Sequence, residues 1–211
     1  NSLIAVPFKK DGTVIGFFGV DNPRKYYRDF QLLSSIQFFL MNRLEMKDRQ
    51  EQLQYLSYRD LLTNLYNRNY YIRLLEKSRG RCFKNIGVVY IDLNGLKQIN
   101  DEQGHEAGDS FIRRAAQQIV AVFPEHTYRI GGDEFCAVIR HARSEWVEER
   151  LRRLEYLEWK YNEGKTDVPM RIAYGYAIFD EQYDKNMEET RNRADVKMYE
   201  KKRAIKAEER K

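Results

Sequence analysis

The fold is decided by the stretch Arg129-Ile130-Gly131-Gly132-Asp133-Glu134-Phe135, which joins two short apolar runs. This pattern predicts two strands connected by a tight Gly-Gly turn. The glycines supply backbone freedom and remove side chains where a ligand could approach. Successive side chains of a strand point to opposite faces, so Asp133 and Glu134 at the hairpin tip can serve two directions. By itself the pattern is also that of an ordinary polar hairpin, so its meaning depends on the rest of the chain.

The composition of the chain is that of a folded, mildly basic protein. It has 211 residues, 33% of them charged and 42% hydrophobic, with a formal charge of +5 and a pI of about 9.0. This length suits one large domain, or one domain with a fragment of another. The small basic surplus favours an ordinary soluble surface, or one suited to a polyphosphate substrate, over a nucleic-acid partner.

The cysteines and the apolar runs indicate a cytoplasmic protein. Cys82 and Cys136 lack the spacing of metal ligands and are expected to be free thiols in a reducing compartment. We expect no membrane span, because no apolar run approaches the required length, and no signal peptide. The chain begins without Met in a strand-like segment, so we expect that it was cut from a longer protein.

Two segments precede the main domain. Residues 2–20 predict a β-hairpin, and because an isolated hairpin is barely stable in water, we expect its sheet partners upstream. Residues 28–58 predict one long helix with a narrow apolar stripe, a pattern that favours packing against a second copy of the helix. Arg43 and Gln50 interrupt the stripe. The alternative for the helix is that it lies on its own domain, and the alternative for the hairpin is that it only serves dimerisation. The expected divisions are therefore 1–27, 28–58 and 59–211.

The main domain is predicted to be α+β. Its strands are expected at 86–91, 127–130, 134–139 and 170–178, and its helices at 68–79, 94–101, 110–122, 145–161 and 187–207. Asn67 could cap the first of these helices. Without the extra helices, the order is βαββαβ, which is the ferredoxin-like arrangement of an antiparallel sheet with helices on one face. In that arrangement the end of the first strand lies beside the hairpin of the middle two.

Carboxylates and a helix start should therefore meet at this end of the sheet. Asp92 follows the first strand, and Asp133 lies on the adjacent turn. Two neighbouring carboxylates repel each other unless they are protonated or neutralised by a cation, and oxygen ligands suit Mg²⁺ or Mn²⁺. The Leu93 carbonyl could complete such a site. Gly95-Leu96-Lys97 opens a helix, whose N-terminus can bind phosphate. Together these features predict phosphoryl transfer on a nucleotide.

The chain from about Tyr58 onward resembles a GGDEF domain, a diguanylate cyclase. The resemblance rests on four motifs in order along the chain: an entry motif (Asp60-Leu61-Leu62-Thr63 and Leu65-Tyr66-Asn67-Arg68), a central motif (Asp92, Lys97, Asn100-Asp101, Gly104-His105, Gly108-Asp109), the turn at 131–135, and the last helix (Ala194-Asp195, Met198-Tyr199, Lys202). The segment from Ser2 to Pro23 resembles the last strands of a GAF sensory domain.

The GGDEF resemblance implies an activity: a homodimer condenses two GTP molecules into cyclic di-GMP and releases two pyrophosphates. Carried over by position, the metal ligands are Asp92, the Leu93 carbonyl and Asp133. Glu134 is either a further ligand or the group that helps to deprotonate the attacking 3′-hydroxyl. Asn100 and Asp109 are expected to bind the guanine edge. The other substrate-binding positions are Gly95, Leu96, Lys97, Gly131, Gly132, Lys202 and Lys206. The alternatives are a module that binds GTP or cyclic di-GMP without turnover, and a scaffold that only dimerises.

Several positions depart from the family pattern or keep more than one interpretation. Lys206 stands where the family has arginine, which keeps the charge but loses the bidentate fork, and Ile205 replaces a usual glycine. Val122 and Glu125 occupy the positions of the family's Arg-x-x-Asp product site, so we expect no strong product inhibition there. Arg129 could pair with Asp133 or Glu134, or could simply flank the hairpin.

Overall fold

The computed structural model describes residues 3–10, 12–23, 30–79, 85–164 and 168–208. The chain divides into two compact units, Asn1–Tyr55 and Leu56–Lys211. The centre of the predicted hairpin turn, the first two residues of the predicted long helix, and Cys82 lie outside the described residues. Within the described ranges no helix is long and apolar enough to cross a membrane.

The first unit contains the predicted hairpin and most of the long helix. Strands β1 (Leu3–Lys10) and β2 (Thr13–Asp21) pair antiparallel, and helix α1 runs over Phe30–Tyr58. Ile4 and Val6 of β1 are buried with Leu33 of α1 in a small apolar core. The hairpin and the helix are therefore confirmed, and the likeness to a GAF domain stays a prediction.

The second unit has a five-stranded sheet and five further helices among its described residues. Its elements in order are β3 (Tyr66–Asn67), α2 (Arg68–Ser78), β4 (Gly87–Asn94), α3 (Leu96–Gln103), α4 (His105–Val122), β5 (Thr127–Arg129), β6 (Glu134–Ile139), α5 (Ser144–Asn162), β7 (Arg171–Ile178) and α6 (Met187–Glu208). The strand order is β3-β5-β6-β4-β7, and every neighbouring pair is antiparallel except β3 with β5. The α+β, ferredoxin-like prediction is confirmed, with β3 as an additional edge strand.

Helices cover both faces of this sheet. Along β4, Val89 and Ile91 are buried on the face covered by α4 and α5, whereas Val88 and Tyr90 are buried on the face covered by α2 and α6. The expectation of helices on one face holds for the helices inside the βαββαβ unit. Because α2 and α6 lie outside that unit in the chain, they are available to cover the opposite face.

The strand that carries Asp92 is longer than the sequence indicates. It pairs with β7 as far as Asn94 opposite Arg171, so Asp92 lies within the strand and not after it. The reason is that a neighbouring strand supplies hydrogen bonds to polar residues that a hydrophobicity pattern assigns to a loop. Helix α4 also begins earlier than the sequence indicates, at His105 rather than at residue 110.

The entry motif joins the end of α1 to the start of α2. The side-chain oxygen of Asn67 accepts a hydrogen bond from the Tyr70 amide at 3.1 Å, which confirms a helix cap. The Asn67 amide group donates to the carbonyls of Ser57 and Arg59, at 2.9 and 3.2 Å. One side chain therefore ties the end of α1 to the start of α2.

Candidate active site

Three carboxylates gather where β4 meets the hairpin turn. Asp92 lies directly opposite Glu134 in the β4–β6 ladder, so the two side chains leave the same face of the sheet, towards α6. Asp133 precedes β6, and its carbonyl accepts a hydrogen bond from the Leu93 amide at 2.9 Å. The backbone pairing thus brings together the acidic residues that the sequence singled out.

Asp92 is the most buried of the three, at 3% exposure. Its Oδ2 accepts a hydrogen bond from Lys202 Nζ of α6 at 2.6 Å, whereas its Oδ1 is buried without a hydrogen-bond partner among the described residues. Burial raises the pKa of Asp92, and Asp133 adds to the rise, although the Lys202 ammonium opposes it. An unpaired buried acceptor of this kind is suited to a ligand with positive charge.

Glu134 lies over the first glycine of the turn. Burial, followed by the negative charges of Asp133 and Asp92, raises the pKa of Glu134. A Cβ added at Gly131 would come within 2.5 Å of Glu134 Oε2, whereas at Gly132 it would meet open space. Neither glycine has a left-handed backbone. The first glycine therefore leaves room for the Glu134 side chain and does not supply a left-handed backbone.

A pocket of about 740 Å³ opens beside the carboxylates. Gly95, with φ of +88°, precedes α3, and the first amides of that helix have no partner within it. The predicted site residues that line the pocket are Leu93, Gly95, Leu96, Lys97, Asp133, Lys202 and Lys206. Its walls therefore combine a helix N-terminus, three lysines and one of the carboxylates.

Asn100 and Asp109 lie at the junction of α3 and α4, and neither lines this pocket. A Cβ at Gly108 would come within 1.9 Å of Asn100 Oδ1, so the Asn100 side chain occupies the space that this glycine leaves. The structure thus brings Asn100 next to the residue that precedes Asp109.

Arg129 pairs with the entry motif. Its Nη1 contacts both carboxylate oxygens of Asp60, at 3.0 and 3.2 Å, and its Nη2 donates to the Gly132 carbonyl at 2.8 Å. Although burial opposes it, hydrogen bonds from Thr63 and Arg129 hold the pKa of Asp60 below its usual value. Among the described residues Arg129 thus pairs with Asp60 instead of Asp133 or Glu134, and it supports the turn through the Gly132 carbonyl. The contact with Asp60 joins remote segments, which no local pattern shows.

The pocket also contains residues that the sequence interpretation missed. Among them are Asn94, Val168, Pro169 and Arg171. Arg171 did carry a signal, because it is the one charged residue in the otherwise apolar or aromatic run 170–178. Asn94 carried none beyond its position two residues after Asp92.

The fit of a divalent cation to this site depends on Asp92 and Asp133. Within the part of the chain that the structure describes, no group of three or more His, Cys, Asp and Glu side chains could hold a metal. The fit rests instead on the unpaired Asp92 Oδ1, the neighbouring Asp133, and oxygen donors alone, the chemistry that Mg²⁺ or Mn²⁺ prefers. In the structure the ammonium group of Lys202 supplies the positive charge next to Asp92.

The comparisons with known proteins identify the family. Residues 57–208 match the family described as "Diguanylate cyclase, GGDEF domain". Because this match covers more than half of the chain, the protein belongs to that family.

Two relatives that are named for different activities are similar to this chain. The "Cyclic di-GMP phosphodiesterase PdeR" of Escherichia coli (strain K12) is 32% identical over 139 residues, which are 64% of this chain and 21% of PdeR. The "Diguanylate cyclase DosC" of the same strain is 30% identical over 129 residues, which are 57% of this chain and 28% of DosC. The matches thus span less than a third of the length of either relative.

A solved structure confirms the fold. The coiled coil and GGDEF domain of DgcB from Caulobacter crescentus, in complex with c-di-GMP, aligns with a TM-score of 0.67 and 22% identity, over 82% of this chain and 95% of that one. At this identity the likeness concerns the fold alone.

Proposed function

We propose that this protein is a cytoplasmic diguanylate cyclase that condenses two GTP molecules into cyclic di-GMP and releases two pyrophosphates. The observation that carries the proposal is the convergence of Asp92, Asp133 and Glu134 beside a pocket lined by lysines and a helix N-terminus. Such a site combines acidic groups with anion-binding groups, as phosphoryl transfer on a nucleotide requires.

In the proposed reaction each nucleotide attacks the other. The 3′-oxygen of one GTP forms a bond to the α-phosphorus of the second, and the bond from that phosphorus to the β-phosphate oxygen breaks. Pyrophosphate leaves with the electron pair, and the hydroxyl proton passes to Glu134. A second attack in the opposite direction closes the ring. Lys202, Lys206 and the first amides of α3 hold the triphosphate, because ammonium groups and free N–H groups bind phosphate oxygens.

The cation would be held by Asp92, Asp133 and the Leu93 carbonyl. When bound, Mg²⁺ or Mn²⁺ supplies positive charge against the charge that develops on the reacting phosphate. Lys202 pairs with Asp92 in the structure. With a cation bound to that carboxylate, this lysine would be free to hold the triphosphate.

Asn100 and Asp109 are proposed to bind the guanine edge. The Asp109 carboxylate accepts hydrogen bonds from guanine N1–H and the 2-amino group, a donor pair that adenine lacks. Replacing Asp109 by alanine should weaken GTP binding by about 1.5–3 kcal/mol, the usual contribution of a charged hydrogen-bond partner, and should leave ATP binding unchanged. Titration calorimetry of both nucleotides measures this difference. Equal weakening for GTP and ATP would assign Asp109 a structural role.

The reaction requires two copies of the domain, because one site holds one GTP. Support for a dimer comes from exposed apolar residues of α1 at seven-residue steps: Leu32, Phe39, Met46 and Leu53. A seven-residue repeat is the spacing at which two helices pack along a seam. Replacing Phe39 by Asp should lower the rate per protein molecule and make it rise with concentration. We further propose that a GAF-like sensory domain, to which residues 1–27 belong, regulates this association.

The second candidate is a module that binds GTP or cyclic di-GMP without turnover. This candidate is favoured by the similarity to PdeR, which is named as a phosphodiesterase. It is also favoured by Lys206 and Ile205, which stand at positions where the family has arginine and glycine.

One experiment separates these candidates. The protein is incubated with GTP and Mg²⁺, and the products are identified by mass, with Asp133→Ala as the control. Cyclic di-GMP made by the wild type and not by the variant supports the cyclase. GTP binding without any product contradicts it and supports the silent module.

A further inference from the structure

Arg171 lies on the rim of the pocket that also contains Lys202 and Lys206. It is directly opposite Asn94 in the β4–β7 ladder. Side chains of directly opposed residues leave the same face of a sheet, with Cβ atoms about 4.5–5.5 Å apart. Asn94 is two residues beyond Asp92, so all three side chains leave the sheet on the face that Lys202 covers.

Asn94 supplies a donor that no described residue uses. Its Nδ2 is buried and has no hydrogen-bond partner among the described residues, and Asn94 lines the pocket. A buried donor without an acceptor is unfavourable, so most such groups in proteins have a partner. An oxygen-rich ligand in the pocket would provide that partner.

The Arg171 guanidinium is weakly held at present. Its Nη1 lies 3.6 Å from Glu158 Oε1, which is too long for a hydrogen bond. The side chain of Arg171 is 41% exposed, whereas that of Glu158 is only 17% exposed. Glu158 is fixed from another side, because its Oε2 accepts a hydrogen bond from the Ile172 amide at 3.0 Å. The arginine can therefore exchange its partner while the glutamate stays at the strand edge.

We propose that Arg171, with the side-chain amide of Asn94, binds the β- and γ-phosphate groups of the nucleotide in this pocket, and that Glu158 holds the guanidinium when no phosphate is present. This inference rests on the proposed function, since GTP is the ligand. Among the residues that line the described pocket, Arg171 is the only arginine. It supplies the planar fork that binds two phosphate oxygens at once, which Lys206 cannot do.

The test measures binding without turnover. A 3′-deoxy-GTP ligand lacks the attacking hydroxyl, so its dissociation constant can be measured by calorimetry together with that of 3′-deoxy-GMP. Arg171→Ala should weaken the triphosphate roughly tenfold, in line with loss of one charged hydrogen-bonding group. The same variant should change the dissociation constant of the monophosphate by less than about twofold. Arg171→Lys should bind the triphosphate with an affinity between those of the wild type and Arg171→Ala, because lysine keeps the charge without the fork. Arg203→Ala, which removes an exposed arginine of α6 outside the pocket, is the matched control and should bind as the wild type does.

Glu158→Gln should change the affinity for the triphosphate in the direction opposite to that of Arg171→Ala. The glutamine keeps an acceptor for the Ile172 amide but releases Arg171, so the triphosphate should bind roughly twofold more tightly. In an Arg171→Ala background the same change should have no effect, because nothing is left to release. A purely structural role for the ion pair predicts instead that both single variants weaken binding.

The outcomes separate this inference from the proposed function. If Arg171→Ala and Arg171→Lys bind the triphosphate like the wild type, or weaken both nucleotides equally, the assignment is wrong even where the wild type makes cyclic di-GMP. If the wild type makes no product but the binding pattern holds, the assignment stands and the cyclase proposal fails. If the wild type binds no triphosphate, both are wrong.

Discussion

The two faces of the five-stranded sheet differ in chemistry although the same strands build both. The face under α4 and α5 is sealed by apolar side chains such as Ile119 and Leu154, each with 0% exposure. The opposite face, under α2 and α6, buries Tyr71, Cys136 and the carboxylate of Asp92. Burial raises the pKa of the Cys136 thiol to about 12. The difference teaches that one face is closed by apolar side chains, whereas the other, beside its own apolar core, holds Asp92 against Lys202 of the pocket.

The largest effect is expected from Asp133, in the turn beside Asp92 and Glu134. Asp133→Ala should reduce cyclic di-GMP formation to background, because the proposed cation loses a ligand at the reacting phosphate. Its free energy of unfolding should change by less than about 0.5 kcal/mol, as for a partly exposed residue outside the core. Product mass spectrometry and urea unfolding measure the two effects, with the exposed Glu200→Ala as control. Activity near that of the wild type would show that Asp133 is not part of the site.

A substitution on the apolar face should lower stability and leave activity nearly unchanged. Leu154→Ala is expected to lower the free energy of unfolding by about 2–5 kcal/mol, because it removes a fully buried side chain and leaves a cavity. The rate per folded molecule should stay close to that of the wild type. The half-buried Leu157→Ala is the matched control and should cost less. A variant that stays stable but loses activity would contradict the division between the faces.

Gly175 tests whether a change in packing under α6 lowers both stability and activity. A Cβ at this position of β7 would come within 2.2 Å of the Ala194 carbonyl oxygen and the Met198 nitrogen of α6. Gly175→Ala should therefore displace α6, with a cost of about 1–3 kcal/mol in stability, and also lower activity because α6 carries Lys202. Unfolding and turnover of the same preparation measure both. Gly16→Ala, whose added Cβ would meet only Phe8 at 3.8 Å, is the control, and an unaffected turnover in Gly175→Ala would show that the position of α6 does not matter to the site.

The smallest effect is expected at the ion pair of Asp60 and Arg129. Arg129→Gln should lower stability by about 1 kcal/mol at neutral pH, since the pair is only partly exposed and also supports the Gly132 carbonyl. The pKa of Asp60 is lowered in the folded protein from its usual 3.8, so the stability that it contributes is present above that value. This contribution is lost as the pH falls through the folded pKa. The difference between wild type and variant should therefore shrink in acid, and a difference that is constant with pH would assign the effect to the Gly132 contact.

Much of the site could be predicted from the sequence because its signals are local. The Gly-Gly turn, the apolar strand before Asp92 and the Asn67 cap each depend on neighbours within a few residues, and the structure confirms all three elements. The alternation of side chains along β4 also follows from the strand alone. The element ends were less accurate, because pairing with β7 carries the strand beyond its apolar run.

The sequence by itself determined the family, the order of the elements and the acidic residues of the turn. Only the tertiary structure decided which charges meet: Asp60 with Arg129, Asp92 with Lys202, and Arg171 with the lysines of the pocket. The physical reason is that helix and strand periodicity arises from each residue's near neighbours in the chain. Pairs separated by 69 or 110 positions are brought together by the packing of whole elements, which no local pattern records.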